Sequence, residues 1–573
     1  MFTQSLLALQ KSITKKIQEI YPDFQGEVEL ESPRDISHGD YALTIALKLA
    51  KEMQRNPQEV ASEILKAIEG ISEIQSAEVA GPGFINLILK DDIFLKSFSD
   101  LLKKGTCIEP GQEENMRVLI EYPSTNVAKP MAVHHLLSAI IGQTFYNVAK
   151  KLGYQATSIN HLGDWGTHFG KIIYSYRHFM NHVDLDHATM EDLLDIYVEF
   201  GNRAKENPEI EEGGRAEFLK LEQKDPENMK VFQKCLDISI KDIHEVLEKL
   251  GGIHIDETIG ESFYSDKMEA VTQEGIEKGI FVEDTGALIC KFPEDKLPPA
   301  LVKKTDGATL YLTRDVATVK YRIERWHPYK TIYVVDIAQK LHFEQVFEVA
   351  RMLGMDLQGF HHVGFGRMAF KDGRKMATRA GSLVRLRDVI DEAVERAGEV
   401  ITAHNPDMPE EKLKELSSMF GIGALKYNIL SQNIHTNFKF DWDDMLSLEG
   451  NSAPYLQYAH ARARSVLRKN GGLQMENEEC YTGILENLEK RVIHQILLFP
   501  VVVQKVFETY KPNVLANYLY ELTQTYNSFY AKHSVLQAET EEKKILRVNI
   551  TVLFAKVLKE GLELLGIDVP EEV

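Results

Sequence analysis

The middle of the chain alternates short apolar segments with longer amphipathic ones, and this alternation restricts the possible folds more than any other feature of the sequence. Strands that alternate with helices favour a parallel, doubly wound α/β sheet. Ligands of such sheets bind beyond the C-terminal ends of the strands, so the loops there are the first places to look for a site. The strands are predicted at 118–122, 154–159, 309–312, 331–335 and 361–365, and the main helices at about 135–152, 313–320 and 343–353.

Two regions of different character flank this central part. Residues 1 to about 110 combine amphipathic helices with a strand–turn–strand pattern at 77–89, which predicts a small α+β domain followed by a polar linker at 103–115. From about residue 386 onward strand signals vanish, which predicts an all-α bundle. The helices are expected at 5–20, 41–53 and 57–68 in the first region, and at 409–430, 453–469, 484–510, 512–530 and 541–565 in the second.

Charge and composition exclude several classes of protein. The 573 residues include 66 basic and 86 acidic ones, a net charge of −20, which argues against a simple electrostatic binder of nucleic acid. The residues from 451 onward carry 14 basic and 15 acidic side chains, so this near-neutral part permits contact with a polyanion. No long apolar run or signal pattern is found, which predicts a cytosolic protein without a membrane span. The four cysteines lack zinc-type spacing, and no metal site is predicted.

The loop after the first central strand, PSTNVAKPMAVHH at 123–135, leads directly into a helix. A helix N-terminus offers free N–H groups and a partial positive charge, which suit a phosphate. His135 is a candidate hydrogen-bond donor to that phosphate, and Lys129 is a candidate point charge. The alternative is that His134 and His135 form a structural first turn packed on the sheet.

Two carboxylates and a tyrosine near strand ends indicate a cationic ligand. Tyr311 and Asp315 lie in the segment YLTRD, and Glu261 follows Gly260. Such acceptors suit a guanidinium group, which is planar and forms bidentate hydrogen bonds with carboxylates. The alternative is an N-capping aspartate together with a surface glutamate.

Two further loops are candidates for a site. The segment NHLGDWGTHFG at 160–170 has three glycines and a tryptophan, which predicts a tight loop with either a structural or a substrate-binding role. The segment GRKMATRAG at 373–381 carries Lys375 and Arg379, which are placed to close over a polyphosphate or to form a solvated basic loop.

Several sequence blocks occur together in an order that is more specific than any block alone. They are HGDY at 38–41, AGPGFIN at 80–86, STNVAKPMAVHH at 124–135, HLGDWGTHFG at 161–170, YLTRD at 311–315, HVGFG at 362–366, part of 440–450 and YLQYAHAR at 455–462. In this order they resemble the class I aminoacyl-tRNA synthetases, and in detail the arginyl-tRNA synthetase family, over essentially the whole chain. The resemblance implies an N-terminal tRNA-binding domain at 1–110, a Rossmann-type catalytic domain at 111–385 with an insertion at about 175–260, a helical connector at 386–445 and a helical anticodon-binding domain at 446–573.

The resemblance also implies the reaction and its residues. L-arginine and ATP would form arginyl-adenylate, from which arginine passes to tRNA(Arg); Mg²⁺ would arrive with ATP, without a tightly bound cofactor, and the protein would be a cytoplasmic monomer. By position, the residues implied to hold arginine are Ser124, Asn126, Glu261, Tyr311, Asp315 and Gln339. Those implied to contact ATP are Lys129, His134, His135, His362, Gly364, Phe365 and Lys375, with catalytic roles for Lys129, His135, Lys375 and Arg379. Those implied to contact tRNA are Tyr455, Gln457, Tyr458 and Arg462.

The chain departs from the family pattern in the HIGH signature and at Thr125, and it shares with many members of the family the loss of the second KMSKS lysine. The H-x-G-H of the HIGH signature reads Ala132-Val133-His134-His135, which removes one donor to the ATP phosphates and adds a side chain where the adenine approaches. Thr378 occupies the position of the second KMSKS lysine, which implies that Lys129 compensates, and Thr125 replaces a usual proline. Three interpretations follow for the first departure: His134 takes over the missing role, the enzyme is slower, or the protein is an inactive synthetase-like binder of tRNA or arginine.

Overall fold

The structure is a computed structural model that describes residues 2–573 with the exception of 32, 34–37, 110, 112, 294–295, 305–310, 371–383, 472–480 and 482. Its first part is an antiparallel sheet, with strand order β1-β3-β2, covered by helices. The elements of this part are α1 (Phe2–Ile20), β1 (Tyr41–Leu43), α2 (Ile45–Met53), α3 (Pro57–Ile68), β2 (Ile74–Ala80), β3 (Phe84–Leu89) and α4 (Asp91–Lys104).

This part confirms the predicted α+β character and corrects one element. α3 begins where the sequence favours it, because Pro57 occupies the first turn and the Asn56 side chain accepts a hydrogen bond from the Gln58 N–H. The single helix predicted at 41–53 is wrong at its start. Tyr41–Leu43 is instead a buried edge strand paired with β3, and three apolar residues in a row do not distinguish a short strand from a helix turn.

The central part follows the predicted alternation of strands and helices. Four helices, α6 to α9, separate β5 from β6, and a small antiparallel sheet of β7, β8 and β9 precedes α11. The elements are β4 (Arg117–Glu121), α5 (Val133–Lys151), β5 (Gln155–Leu162), α6 (Thr167–His178), α7 (Met190–Glu206), α8 (Glu209–Glu222), α9 (Pro226–Lys249), β6 (Glu257–Gly260), α10 (Met268–Glu277), β7 (Phe281–Asp284), β8 (Ala287–Cys290), β9 (Ala300–Lys303), α11 (Tyr311–Trp326), β10 (Lys330–Asp336), α12 (Lys340–Met352) and β11 (Phe360–Phe365).

The main sheet has five strands in the order β11-β10-β4-β5-β6, and each neighbouring pair is parallel. Val118, Leu119 and Ile120 of β4 are fully buried, as expected for a strand covered on both faces. The chain moves from β4 toward β6 on one side and then returns to β10 and β11 on the other. The strand order therefore reverses between β4 and β10, and a ligand cleft is expected beyond their C-terminal ends.

One strand predicted in the central part is wrong at the two residues that the structure describes. Residues 309–312 are predicted as a strand, but Tyr311 and Leu312 form the first turn of α11, whereas 309 and 310 lie outside the described residues. The β-branched and aromatic residues of this segment favour a strand locally. Leu312 is buried in the helix instead, so packing decides the outcome.

The last part is the predicted helical bundle, with one addition. Its elements are β12 (Met368–Phe370), α13 (Leu386–His404), α14 (Glu410–Leu430), β13 (Phe438–Phe440), α15 (Trp442–Leu446), α16 (Ala453–Lys469), α17 (Asn487–Thr509), α18 (Pro512–Lys532) and α19 (Glu541–Leu564). The prediction that strands end before 386 is wrong, because β13 pairs in parallel with β12. Three-residue strands are too short to leave a periodic signal in the sequence.

α5 and α17 connect the three parts. α5 packs against β4, β5 and β10 of the sheet and also against α13, α14, α17 and α19. α17 packs against α1 and α4 of the first part and against α18 and α19. Among the described helices, α17 is also the one with the length and apolar composition of a membrane span. Its contacts with α4, α18 and α19 identify it as a core helix.

Candidate active site

The loop after β4 is held in place by side chains from other elements. Tyr122 donates from its hydroxyl to the His254 carbonyl at 2.8 Å, and the Ala128 N–H donates to the Ser239 hydroxyl of α9 at 3.0 Å. Ser124 and Ala128 both have positive φ angles, of 54° and 59°. The loop therefore has a defined shape between the sheet and the first turn of α5.

This loop pairs with the glycine-rich loop that follows β5. The Gly163 N–H donates to the Thr125 carbonyl at 2.8 Å, and the Val127 N–H donates to the Gly163 carbonyl at 3.1 Å. A Cβ atom at position 163 would lie 2.4 Å from Oδ1 of Asn126, so the glycine leaves room for the Asn126 side chain in its present position. Two segments that the sequence analysis treated as separate candidates are thus one unit, and Asn126 lies exposed on it.

Carboxylates from three strand ends and one helix come together beside this unit. Glu121 ends β4 and receives a hydrogen bond from the Ser124 hydroxyl at 3.3 Å. Glu261 begins a 3₁₀ turn immediately after β6, and Asp164 follows β5. Asp315 lies in the first turns of α11, where its Oδ2 is 2.5 Å from Nε2 of His342. The predicted arginine residues Ser124, Glu261 and Asp315 therefore lie in one acidic pocket.

Asp164 shapes the turn that presents Glu261. The Ser262 N–H and hydroxyl donate to its two carboxylate oxygens at 2.8 and 2.6 Å. A Cβ atom at Gly260 would lie 1.9 Å from the same carboxylate, so the absence of a side chain at Gly260 leaves room for Asp164. Burial raises the pKa of Asp164 above its usual value, and the hydrogen bonds from Ser262 oppose this.

Burial also raises the pKa of Glu261 to about 7. The Arg314 guanidinium, which pairs with this carboxylate, lowers that pKa, whereas Asp315, Asp164 and Glu121 raise it further. Carboxylates crowded in this way are satisfied by a cation that brings several hydrogen-bond donors. Glu121 already has such a partner, because its Oε2 is 2.5 Å from Nη2 of the fully buried Arg322.

The two remaining residues of the predicted arginine set lie at the rim of the pocket. Tyr311 is 67% exposed at the start of α11, and the Arg314 guanidinium lies 5.7 Å from its ring centre. Gln339 is exposed at the end of a 3₁₀ turn that follows β10, three residues before His342. Both are accessible to a ligand that enters the pocket.

The first turn of α5 forms the neighbouring part of the cleft. Nδ1 of His135 accepts a hydrogen bond from the Ala132 N–H at 3.0 Å, and burial lowers the pKa of His135 to about 3. The ring is therefore neutral, with its proton on Nε2, and it keeps one donor. His134 is exposed beside it, with the two ring centres 4.0 Å apart. Nδ1 of His135 thus has the structural role of the alternative interpretation, in which the two histidines form a packed first turn. Nε2–H of His135 is still available to donate a hydrogen bond to a phosphate.

Lys129 lies on the side of the insertion. Its ammonium is 5.8 Å from the ring centre of Tyr197 on α7, and its charge, together with burial, lowers the pKa of His168 to about 4. The side chain is exposed at the mouth of the cleft. It is available to an anionic ligand, as the sequence analysis expects.

The last central strand has a mainly structural role in the described residues. The His362 ring stacks on Phe343 with ring centres 4.7 Å apart, and the Phe365 side chain is buried in the core. A Cβ atom at Gly364 would lie 3.1 Å from Cα of Ile337, so this glycine lets β11 approach the loop after β10. A nucleotide would therefore meet the backbone of 364 and 365 and not the Phe365 ring.

Lys375 and Arg379 lie outside the described residues, but the chain that follows them is placed. The Leu386 N–H donates to the Met131 carbonyl at 2.8 Å, and the Val133 N–H donates to the Val384 carbonyl at 3.3 Å. The chain from Val384 onward is thus anchored directly beside the first turn of α5.

The predicted tRNA-binding residues of α16 divide into two groups. Gln457 is fully buried, and its Nε2 donates to the carbonyls of Asp568 at 2.7 Å and Met419 at 3.2 Å, so its predicted tRNA contact is wrong and its role is structural. Tyr455 accepts a hydrogen bond from Asn527 at 2.8 Å and is half-buried. Tyr458 and Arg462 are exposed, with the guanidinium 5.0 Å from the ring centre.

The groups that surround Glu261 were not among the residues predicted from the sequence. Arg314 and Arg322 are eight residues apart on α11 and lie on one face of the helix, as helical spacing implies. Glu121 is a charged residue at the end of a buried apolar strand, which is a signal that pointed to this pocket. Among the described residues, no group of three His, Cys, Asp or Glu side chains is arranged to hold a metal ion.

Comparison with known proteins gives matches over nearly the whole chain. Three family descriptions match it: "Arginyl tRNA synthetase N terminal domain" at residues 7–89, "tRNA synthetases class I (R), catalytic domain" at 97–442 and "DALR anticodon binding domain" at 456–573. The arginine–tRNA ligase of Fusobacterium nucleatum is 37% identical over 567 residues, covering 97% of each chain. That of Clostridium beijerinckii is 36% identical over 554 residues, covering 95% of this chain and 96% of its own.

Solved structures agree with these matches. The crystal structure of arginyl-tRNA synthetase from Plasmodium falciparum superposes with a TM-score of 0.84 and 26% identity, covering 99% of this chain and 98% of that one. The Thermus thermophilus arginyl-tRNA synthetase, at 22% identity and a TM-score of 0.78, shares the fold over 99% of both chains.

Proposed function

The chain belongs to the arginyl-tRNA synthetase family of class I, and on this premise we propose that it activates L-arginine with ATP and transfers it to tRNA(Arg). Membership in the family makes it a ligase with the class I Rossmann-type fold. The domain boundaries and residue roles given in the sequence analysis are part of the proposal, with Gln457 removed.

The acidic pocket is the observation that carries the assignment of arginine. Glu261 follows β6 and Asp315 lies on α11, and both present carboxylates near Glu121 at the end of β4, with the exposed Tyr311 and Gln339 beside them. A guanidinium brings planar donors that satisfy such acceptors, whereas a neutral side chain would leave buried carboxylates unpaired. Lysine, a point charge with a different geometry, satisfies fewer of them.

Arginine activation is an in-line attack of the arginine carboxylate on the α-phosphate of ATP. A bond forms between a carboxylate oxygen and phosphorus, and the bond from phosphorus to pyrophosphate breaks. The chain contributes position and charge and forms no covalent intermediate. Nε2–H of His135, the N-terminus of α5, and Lys129, Lys375 and Arg379 are the groups proposed to stabilise the phosphates, and Mg²⁺ is proposed to arrive with ATP.

The second step moves arginine to the terminal ribose of tRNA(Arg). Tyr458 and Arg462 form an exposed aromatic and basic pair on α16, which suits stacking against a base and contact with a phosphate. The N-terminal domain is proposed as a second tRNA contact. The protein is further proposed to act as a cytoplasmic monomer.

The alternative of an inactive synthetase-like protein gains no support from the site. The first turn of α5 is formed around His135 although Ala132 replaces the first histidine of the signature. The proteins that match nearly the whole chain are named as ligases.

Charging of tRNA(Arg) with labelled L-arginine tests the proposal. We expect the purified protein to charge this tRNA, and we expect Asp315→Asn to reduce kcat/KM for arginine by about 30-fold to several thousandfold, because a desolvated charge pair is worth about 2–5 kcal/mol. Asp391→Asn, which alters an exposed pair with Lys249, is the matched control and should charge normally. A folded wild-type protein that does not charge tRNA(Arg) would show that the proposal is wrong.

A further inference from the structure

α11 carries two arginines on one face, and each pairs with a glutamate at the C-terminal end of the neighbouring sheet. Arg322 pairs with Glu121 of β4, and Arg314 pairs with Glu261 after β6. The Arg322 side chain is fully buried and its guanidinium also lies 5.0 Å from the ring centre of Tyr333. It is therefore a permanent part of the pocket floor.

Arg314 differs from Arg322 in position. Its side chain is 12% exposed and lies next to Tyr311, the exposed residue at the pocket rim. Its guanidinium contacts Glu261 and faces the Tyr311 ring, which are two of the residues expected to hold the guanidinium of the substrate. The protein thus places a guanidinium of its own where the ligand chemistry requires one.

We propose that Arg314 is an internal placeholder, which occupies Glu261 in the ligand-free protein and is displaced when L-arginine binds. This inference rests on the proposed function. It adds that Arg314 competes with L-arginine for Glu261 and so sets the affinity of the amino-acid pocket. Displacement exchanges one guanidinium for another on the same carboxylate. The net affinity for arginine is then lower than its contacts alone would provide.

The surroundings of Glu261 explain why a placeholder is useful. Asp164, Asp315 and Glu121 all raise the pKa of Glu261, and the nearby His161 is kept neutral by burial, which lowers its pKa. Arg314 is the cation that opposes them. Without it, the buried carboxylate would be protonated more readily, and a protonated carboxyl group binds a guanidinium poorly.

The test compares Arg314→Met with wild type in equilibrium binding of L-arginine, measured by calorimetry from about pH 6 to about pH 9. We expect Arg314→Met to bind arginine about tenfold more tightly at the alkaline end, because the competitor is gone and a hydrogen bond to a charged group is worth about 1.5–3 kcal/mol. We expect this gain to disappear toward the acidic end, because loss of the Arg314 charge moves the titration of Glu261 to higher pH.

Arg325→Met is the matched control. Arg325 lies on the same helix and pairs with Glu257 of β6 at 2.6 Å, but outside the pocket, so its loss should leave both the affinity and its pH dependence unchanged. If Arg314→Met does not fold, Arg314→Gln provides the same comparison with a side chain that remains polar.

Weaker arginine binding by the Arg314 variants at every pH would overturn the inference, since it would make Arg314 a lasting part of the site. A crystal structure with L-arginine in which the Arg314 guanidinium remains on Glu261 would do the same. Either result leaves the proposed function standing if wild type charges tRNA(Arg), and failure of that charging reaction is a separate outcome.

Discussion

Glu261 shows how one residue combines position with an unusual acidity. It follows β6 on a turn held by Asp164 and Ser262, and burial raises its pKa to about 7. A carboxylic acid with a raised pKa is uncharged below that value and ionised above it. The pocket therefore loses part of its negative charge when the pH falls through 7.

Binding of L-arginine by the wild-type protein should consequently weaken as the pH falls below about 7. Glu261→Gln should bind arginine at least about 30-fold more weakly at alkaline pH, since it removes one partner of a charged pair, and should lack this pH dependence. The measurement is the dissociation constant over pH for both proteins. Burial lowers the pKa of both His135 and His161, to about 3 for His135, so each ring stays neutral to a lower pH than a free imidazole does. An identical pH profile for the two proteins would contradict the assignment to Glu261.

At this scale the sequence allowed the acidic residues to be predicted but not their partners. Glu261 and Ser124 lie in one pocket because residues after parallel strands meet at the same sheet edge, whereas Asp315 reaches the pocket from the first turns of α11. Arg314 belongs to the YLTRD motif, but no role was predicted for it, because a motif does not show where a long side chain points. Gln457 was predicted to contact tRNA, and its burial and its hydrogen bonds to the Asp568 and Met419 carbonyls show that it is internal.

At the scale of elements, the proposed arginine site depends on the pairing of two loops. The loop after β4 and the loop after β5 exchange backbone hydrogen bonds, and Gly163 leaves room for the Asn126 side chain. The contact at 2.4 Å involves the end of a side chain, so an added methyl group would displace Asn126 and leave the backbone in place.

Gly163→Ala should therefore keep the fold and raise KM for arginine by up to about 100-fold, because a displacement of about 1 Å at a binding residue costs that much. Asn126→Ala should cause a similar rise, and the double variant should be little worse than either single one. Gly201→Ala on α7, where an added Cβ meets no atom within 4 Å, is the control and should have a normal KM. Additive effects in the double variant would show that the two positions act independently.

Periodicity predicted many of the elements but not all of them. The strands β4, β5, β10 and β11 and helices such as α5, α14 and α19 were expected close to their observed bounds, whereas β6 and the long helices α7, α9 and α13 were not predicted. β1, β12 and β13 have three residues each and were missed, and the start of α11 was predicted as a strand because its apolar residues are ambiguous over so short a run.

The arrangement of the parts is the main result at the scale of the whole molecule. Lys490 of α17 reaches the N-terminal domain, where its ammonium lies 3.1 Å from Asp40, 3.2 Å from Asp91 and 2.7 Å from the Leu89 carbonyl. The Tyr41 hydroxyl is 2.8 Å from Nε2 of His494, whose pKa is lowered to about 4 by burial. The N-terminal domain is thus fixed to the C-terminal bundle by a polar and aromatic interface.

Lys490→Met should loosen this interface by about 1–3 kcal/mol, because it leaves two partly buried carboxylates without their cation. We expect KM for tRNA(Arg) to rise several-fold, the affinity for L-arginine to stay the same, and limited proteolysis between the domains to become faster. Lys505→Met, on the exposed part of the same helix, is the control. An unchanged KM for tRNA together with faster proteolysis would show that the interface stabilises the fold without positioning the tRNA.

The sequence predicted three parts but not how they pack together. Apolar periodicity shows which face of a helix is buried and does not show what covers it. The contact between Lys490 and Asp40 joins positions 450 residues apart, and nothing in local spacing indicates such a contact.

α5 begins at the proposed nucleotide site and is enclosed by the sheet on one side and by α13, α14, α17 and α19 on the other. A close-packed interior has little compressibility, so a helix enclosed in this way behaves as a rigid body. Any displacement of the bundle would therefore be transmitted along α5 to its first turn.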